Sequence, residues 1–223
     1  MSQAAWFIDS GDAWRRLCSI GPSGFARYVR LFHPPRPGDD LTDPEHLQDL
    51  EGHLDDDVLQ TLVGVLARHT NSPEDCFFGL WDGFGDIHGS PSVGMLQAEP
   101  LHRRLFRRRR NASSPTIPPA FAPEVIAGPR VRIPARDYLL FRGPLDMAGD
   151  WGAADLMPGK PRRLNSPNLI WPADHTWFVS TEIDLPWTGV GGSAALIEDL
   201  VSAQGLEVQE VEPRDDLPYS RFG

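Results

Sequence analysis

The sequence is poor in cysteine and in long apolar runs, and each scarcity excludes a class of protein. Its 223 residues include two cysteines, Cys18 and Cys76, and no CxxC pair, so a disulfide framework is excluded. No segment approaches the roughly 18 consecutive apolar residues that a membrane-spanning helix requires. The N-terminus has no basic stretch followed by an apolar one, as a secretory signal would. We therefore expect a soluble, cytoplasmic protein with no membrane partner.

Lysine is also scarce, since Lys160 is the only lysine among 21 basic residues, and 31 acidic residues outnumber them. The formal net charge of −10 disfavours nucleic acid as a partner, because nucleic-acid phosphates repel an acidic surface. The same charge is compatible with a protein partner that carries basic residues. The sequence contains no GxSxG nucleophile motif and no GxxxxGK[ST] phosphate loop. We expect neither a cofactor nor a metal ion, and the sequence leaves the oligomeric state open.

Hydrophobic periodicity predicts a single α+β domain over residues 1–223, with a central, mostly antiparallel sheet and helices packed on one side. Apolar runs and alternating patterns predict four strands. These strands cover residues 76–81, 137–142, 176–184 and 206–211. Helical spacing of apolar residues and capping patterns predict three helices. These helices cover residues 42–54, 58–66 and 194–201.

Two shorter assignments rest on local pattern alone. Residues 4–8 are apolar and bounded by polar residues, which predicts a short strand. Residues 23–32 predict a short amphipathic helix, because Phe25, Tyr28 and Phe32 recur at helical spacing. The prolines that follow His33 would end that helix.

A long insertion is expected between the predicted strands. Residues 87–130 lose hydrophobic periodicity and contain a proline-rich tract, which is typical of a loop or flexible insertion. Six arginines fall within residues 103–110, and the last four are adjacent. The candidate binding residues in this run are Arg107, Arg108, Arg109 and Arg110. They could contact nucleic-acid phosphates, an acidic partner or the chain's own carboxylates such as Asp55, and nucleic acid is the least favoured of these.

The predicted strand over residues 176–184 carries the candidate catalytic residues. Its pattern gives one apolar face and one polar face, and the polar face includes Glu182 and Asp184. Two carboxylates in a cleft can shift each other's pKa and act as general acid and base. Asp174 and His175 precede the strand and could complete such a site. The favoured alternative is a solvated sheet face with no catalytic role.

Two further residues are candidate binding residues. Arg142 ends a predicted strand and could come within reach of a pocket lined by Glu182 and Asp184, and Trp171 lies in a short extended segment. A tryptophan in such a segment is more often part of the core than of a ligand cage. The glycines of residues 189–193 could form an anion-binding turn, but a tight turn followed by a helix that Ser193 caps is the favoured interpretation. The acidic residues of 82–88 are interpreted as turn residues rather than metal ligands.

Several sequence blocks carry a resemblance that extends over most of the chain outside the insertion. They are residues 76–85, 138–144 and 166–174, followed by the TEID of 181–184 and the GGS of 191–193. In these blocks the chain resembles a family of conserved hypothetical proteins common in actinobacteria, to which no activity is attached. The resemblance implies a cytoplasmic origin and one folded unit, and it implies no catalytic role.

The sequence thus leaves three functional hypotheses. The leading one is a non-catalytic, cytosolic binding or accessory protein of a regulatory or immunity type, because no catalytic signature stands out and the acidic surface suits protein partners. The second is a hydrolase or transferase that uses Asp174, His175, Glu182 and Asp184. The third is nucleic-acid contact through the arginine-rich insertion. The sequence does not decide whether the chain is an enzyme.

Overall fold

Eight strands form one antiparallel sheet in the computed structural model, which describes residues 3–35, 51–89 and 117–212. The strands in chain order are β1 Arg27–Phe32, β2 Cys76–Trp81, β3 Arg130–Ile133, β4 Arg136–Gly143, β5 Leu169–Pro172, β6 Phe178–Thr181, β7 Trp187–Gly192 and β8 Glu207–Val211. Their order across the sheet is β3-β4-β2-β5-β6-β7-β1-β8, and every neighbouring pair is antiparallel. The predicted α+β class with an antiparallel sheet is confirmed.

The helices of the described residues are mostly short. In chain order they are α1 Ala5–Ile8, α2 Trp14–Ser19, α3 Asp56–Leu66, α4 Gly85–His88, α5 Pro123–Ile126 and α6 Ala194–Ser202. Two 3-10 turns cover Ala67–His69 and Leu145–Met147. Within these ranges, no helix has the length and apolarity needed to cross a membrane.

The two longest helices of the described residues, α3 and α6, pack on the same face of the sheet. Leu62 of α3 and Ile197 of α6 are fully buried in one cluster with the strand residues Val179 and Val190. Ser193 caps α6, since its Oγ accepts a hydrogen bond from the main-chain N–H of Leu196 at 3.2 Å. Apolar side chains at helical spacing therefore position both helices, and the sequence prediction of each is confirmed.

The opposite face of the sheet is covered by α1 and α2. Phe7 of α1 and Leu17 of α2 are buried there against Phe178 of β6. Phe178 and Ser180 have no exposed surface. The prediction that β6 has one solvated polar face is therefore wrong, because the N-terminal helices cover that face.

Helix α2 approaches the sheet so closely that main chain and small residues form the contact. The Ser180 hydroxyl donates hydrogen bonds to the main-chain oxygens of Leu17, at 2.9 Å, and Cys18. Beside it in the sheet, Gly189 has no Cβ, and an added one would lie 2.3 Å from the Ser19 carbonyl oxygen. A larger residue at either position would push α2 away from the sheet.

Two local predictions are wrong. Residues 4–8, predicted as a strand, form helix α1 over Ala5–Ile8. Residues 23–32, predicted as a helix, contain strand β1, which pairs with both β7 and β8. Both segments are short and apolar at several spacings, so their tertiary contacts decide the structure rather than the periodicity.

Part of the predicted insertion falls within the described residues, and part does not. Residues 117–130 contain α5 and lead into β3 at Arg130. Residues 90–116, including the arginine run, lie outside the described residues, as does most of the helix predicted over 42–54.

Candidate functional site

The first pair of predicted catalytic residues, Asp174 and His175, lies in the connection between β5 and β6. The Asp174 carboxylate accepts hydrogen bonds from the Asn71 main-chain N–H at 2.7 Å, the Thr70 hydroxyl at 2.8 Å and the Thr176 hydroxyl at 2.8 Å. Partial burial raises the pKa of Asp174, but these hydrogen bonds outweigh it and lower the pKa overall. This carboxylate therefore fixes the connection to the loop that follows α3.

His175 stacks on the N-terminal helix. Its ring lies parallel to that of Trp6, with centroids 4.4 Å apart and an interplanar angle of 16°. Its main chain has φ of 54°, a left-handed conformation that is uncommon for histidine. Partial burial lowers the pKa of His175 against the opposing effect of Asp174, so the neutral ring is the favoured form.

The second pair, Glu182 and Asp184, lies beyond the other end of β6 and is held by Arg136 of β4. Arg136 donates to Glu182 Oε1 through Nε at 3.0 Å and Nη2 at 2.5 Å, and Nη2 also donates to Asp184 at 2.9 Å. Glu182 is 3% exposed, whereas Asp184 is 66% exposed. The two carboxylates therefore share one guanidinium in very different surroundings.

The structure does not bring the two pairs together. Strand β6, Phe178–Thr181, lies between them, and at about 3.3 Å per residue its four residues span roughly 13 Å. Asp174, His175, Glu182 and Asp184 therefore do not form the common cleft on which the hydrolase or transferase hypothesis depends.

The surroundings of Glu182 are buried and contain a thiol and a phenol. Burial raises the pKa of Glu182 although the Arg136 guanidinium opposes the shift, and its Oε2 has no hydrogen-bond partner. Burial likewise raises the pKa of Cys18 to about 12, and the Tyr138 hydroxyl lies 3.4 Å from its sulfur. A thiol with such a pKa is protonated at neutral pH and is a poor nucleophile.

Arg142 and Trp171, the predicted binding residues within the described part, have internal partners. Arg142 forms a two-point ion pair with Asp75, at 2.6 and 2.8 Å, and lies over the ring of Phe77. Trp171 has no exposed surface and stacks on Phe77 and Phe178 in the core. Arg107, Arg108, Arg109 and Arg110 lie outside the described residues, so their binding role stays a prediction.

A groove at the start of α3 is a site that the sequence analysis missed. Its volume is about 420 Å³, and it lies between the start of α3 and the loop over residues 149–164. Four carboxylates line it together with the ring of Trp151. These carboxylates belong to Asp55, Asp56, Asp150 and Asp155. They are contributed by segments about 95 residues apart, so no local motif could have indicated them.

Local structure explains how the groove keeps its shape. Trp151 donates from its indole N–H to the Asn165 carbonyl at 2.9 Å, which holds its ring at the wall. Arg162 lines the groove and donates to three main-chain carbonyls, those of Ala154, Asp86 and Pro118. Arg162 therefore stabilises the loop, because its donors already have partners within the chain.

The charge of the groove is negative. The second arginine of the wall, Arg163, is 93% exposed and lies 3.9 Å from Asp56, a distance typical of a weak surface pair. The four carboxylates outnumber the two guanidinium groups, so the groove favours cations over anions. In the described part of the chain, no group of three or more His, Cys, Asp or Glu side chains is placed to hold a metal ion.

Comparisons of the chain with models of protein families, with curated proteins and with solved structures gave no match. The resemblance to an actinobacterial family therefore stays a prediction, and the chemistry of the site carries the functional argument.

Proposed function

We propose that this chain is a non-catalytic, cytosolic binding protein that holds a basic side chain of a protein partner in the acidic groove. The observation that carries the proposal is the groove itself, which combines four carboxylates with one aromatic wall. A volume of about 420 Å³ lies within the roughly 300–1,000 Å³ typical of ligand sites. Such a groove suits the cationic head of lysine or arginine, since carboxylates pair with the charge and an indole ring contacts the stem.

The structural partners of the residues predicted for catalysis also support a binding role. Asp174 is held by hydrogen bonds within a loop connection, and Glu182 is buried on Arg136. Each carboxylate thus has a structural partner, and neither lines the acidic groove. A binding role needs no convergence of these side chains, whereas the hydrolase or transferase hypothesis does.

The test is a binding measurement with short synthetic peptides by isothermal titration calorimetry on the full chain. Peptides rich in lysine or arginine should bind, and a glutamate-rich peptide of equal length should not. The double variant Asp55→Asn/Asp155→Asn should bind about 10-fold more weakly, because each exposed carboxylate contributes up to ~1 kcal/mol. The affinity should also fall as the salt concentration rises.

Asp57→Asn is the matched control for this experiment. Asp57 lies on the first turn of α3, next to Asp56, but it does not line the groove. It removes one charge from the same helix end, so it should leave peptide affinity nearly unchanged. An equal loss of affinity in Asp57→Asn and in Asp55→Asn/Asp155→Asn would show general attraction to an acidic surface and would refute the proposed site.

A further inference from the structure

A second candidate binding site lies on the opposite face of the sheet, at Arg30 in the middle of β1. Arg30 is 4% exposed, and its guanidinium carbon lies 4.6 Å from the centroid of the Trp187 ring. Its neighbours along this face of β1 are Tyr28 and Phe32, which belong to one apolar cluster with Trp187. A permanently charged group is thus placed among aromatic side chains.

Within residues 3–35, 51–89 and 117–212, no carboxylate balances the charge of Arg30. Among the described residues, none forms an ion pair with it, and its Nε has no hydrogen-bond acceptor. Burial lowers the pKa of Arg30, and no opposing effect of a nearby carboxylate accompanies the shift. Because a guanidinium group does not lose its proton in proteins, the charge persists and remains unbalanced.

The other buried guanidinium groups of the described residues are balanced. Arg16 is 7% exposed and lies over the ring of Tyr28, much as Arg30 lies over Trp187, and its Nε also has no hydrogen-bond acceptor. Arg16 differs in its ion pair, because its Nε lies 3.5 Å from the Asp12 carboxylate. Arg136 is paired with Glu182. The described part of the fold thus supplies a carboxylate to Arg16 and to Arg136 and supplies none to Arg30.

The β8 side of Arg30 is its more open side. On the β7 side its partner in the sheet is Gly189, where the main chain of Ser19 and Ile20 fills the space, and on the β8 side its partner is Gln209. Residues directly opposite each other in antiparallel strands lie on the same face, and Gln209 is exposed on the edge strand β8. The edge at β8 therefore offers a small anion a route towards the guanidinium group.

We propose that Arg30 is an anion-binding site that receives the carboxylate or phosphate group of a small ligand. Two oxygens of the anion would accept two hydrogen bonds from the guanidinium group, the geometry that arginine favours for both kinds of oxyanion. The Trp187 ring would back the guanidinium group and exclude water from one side. None of these residues lines the acidic groove, so the two proposals stand or fall separately.

The experiment follows the arginine Nε–Hε signals of the full chain by NMR during titration with sodium phosphate and, separately, with sodium acetate. Sodium chloride keeps the ionic strength constant in every sample. The Arg30 signal, identified by its loss in Arg30→Lys, should move saturably with at least one of the two oxyanions, and the better one identifies the ligand class. The Arg16 signal should stay in place, because its carboxylate is already present.

Thermal unfolding provides a readout that does not depend on signal assignment. The better oxyanion should raise the wild-type Tm by about 3 °C or more near saturation, and the rise should disappear in Arg30→Met. Arg16→Met should keep the rise, which controls for the loss of one arginine. No saturable movement of the Arg30 signal with either oxyanion, or an equal rise of Tm in Arg30→Met and wild type, would overturn the proposal.

Discussion

Arg136 binds the buried Glu182 through two nitrogens on a single carboxylate oxygen, and the second oxygen is left without a partner. The pair joins the start of β4 to the end of β6, two strands that are not neighbours in the sheet. Because Glu182 is buried, the guanidinium group is its main source of charge compensation.

Replacing Arg136 by methionine should lower the free energy of unfolding by about 3 kcal/mol at neutral pH, because a buried carboxylate then loses its counter-ion. Urea denaturation followed by circular dichroism measures the loss. Arg142→Met is the control, since the Arg142–Asp75 pair is exposed, and its loss should be clearly smaller. Equal losses would show that the Arg136–Glu182 pair does not have the stabilising role inferred here.

The loss of unfolding free energy in Arg136→Met should decrease as the pH falls. Burial raises the pKa of Glu182 in the folded chain above its ordinary value of 4.5, so the folded state binds the proton more readily than the unfolded state. The cost of burying the charge is therefore present at neutral pH and falls as the pH decreases through the folded pKa. The difference between Arg136→Met and wild type should shrink from about pH 7 to about pH 4.5, and a constant difference would contradict the assignment.

Gly189→Ala should destabilise the fold by about 1–3 kcal/mol, because the added Cβ would meet the main chain of α2. The nearest atoms are the Ser19 carbonyl oxygen at 2.3 Å and the Ile20 Cα at 2.5 Å, neither of which can rotate away. Gly143→Ala is the matched control, since Gly143 also lies in a strand and an added Cβ there meets nothing within 4 Å. Thermal unfolding of both variants measures the difference, which should vanish if α2 does not pack on β7 as described.

The stacking of His175 on Trp6 should make stability depend on pH in the opposite sense to Glu182. The pKa of His175 is lowered from 6.5 in the folded chain. The contribution of His175 to stability is therefore complete above about pH 6.5 and is lost as the pH falls through the folded pKa. Wild type should therefore lose stability relative to His175→Asn between about pH 7.5 and about pH 5. Asparagine tolerates the left-handed backbone of this position, and parallel curves for the two proteins would refute the role.

Both cysteines should be unreactive in the folded protein. Burial raises the pKa of Cys18 and of Cys76 to about 12, so very little thiolate exists at neutral pH. With a coloured disulfide reagent, both thiols should react at least about 100-fold more slowly than in urea, where their pKa returns to that of an ordinary thiol. Rapid labelling of a native cysteine would show that the surrounding core opens readily.

The sequence was most informative where one pattern dominated. Strand β2 is apolar at every position from Cys76 to Leu80, and α3 has a clear helical stripe, so both were predicted correctly. The sequence predicts a helix for strand β1 because its apolar residues fit helical as well as strand spacing, and only its pairing with β7 and β8 decides between them.

The candidate site was harder to predict for a geometrical reason. Asp174 and Glu182 are close in sequence, but the extended strand β6 lies between them and rises about 3.3 Å per residue. The two side chains are therefore at opposite ends of the strand. Conversely, Asp55 and Asp155 are distant in sequence and line one groove. Tertiary contacts determine both the separation of the first pair and the approach of the second, and they leave no local pattern in the sequence.

The position of β1 in the sheet has a consequence for synthesis on the ribosome. Residues 27–32 emerge before both of their strand partners, Trp187–Gly192 and Glu207–Val211, which are made after more than 150 further residues. At about 5–20 residues per second, the nascent β1 remains without partners for roughly 10–30 s. Its apolar residues are then accessible to chaperones, and the eight-stranded sheet is completed only after β8 has left the exit tunnel.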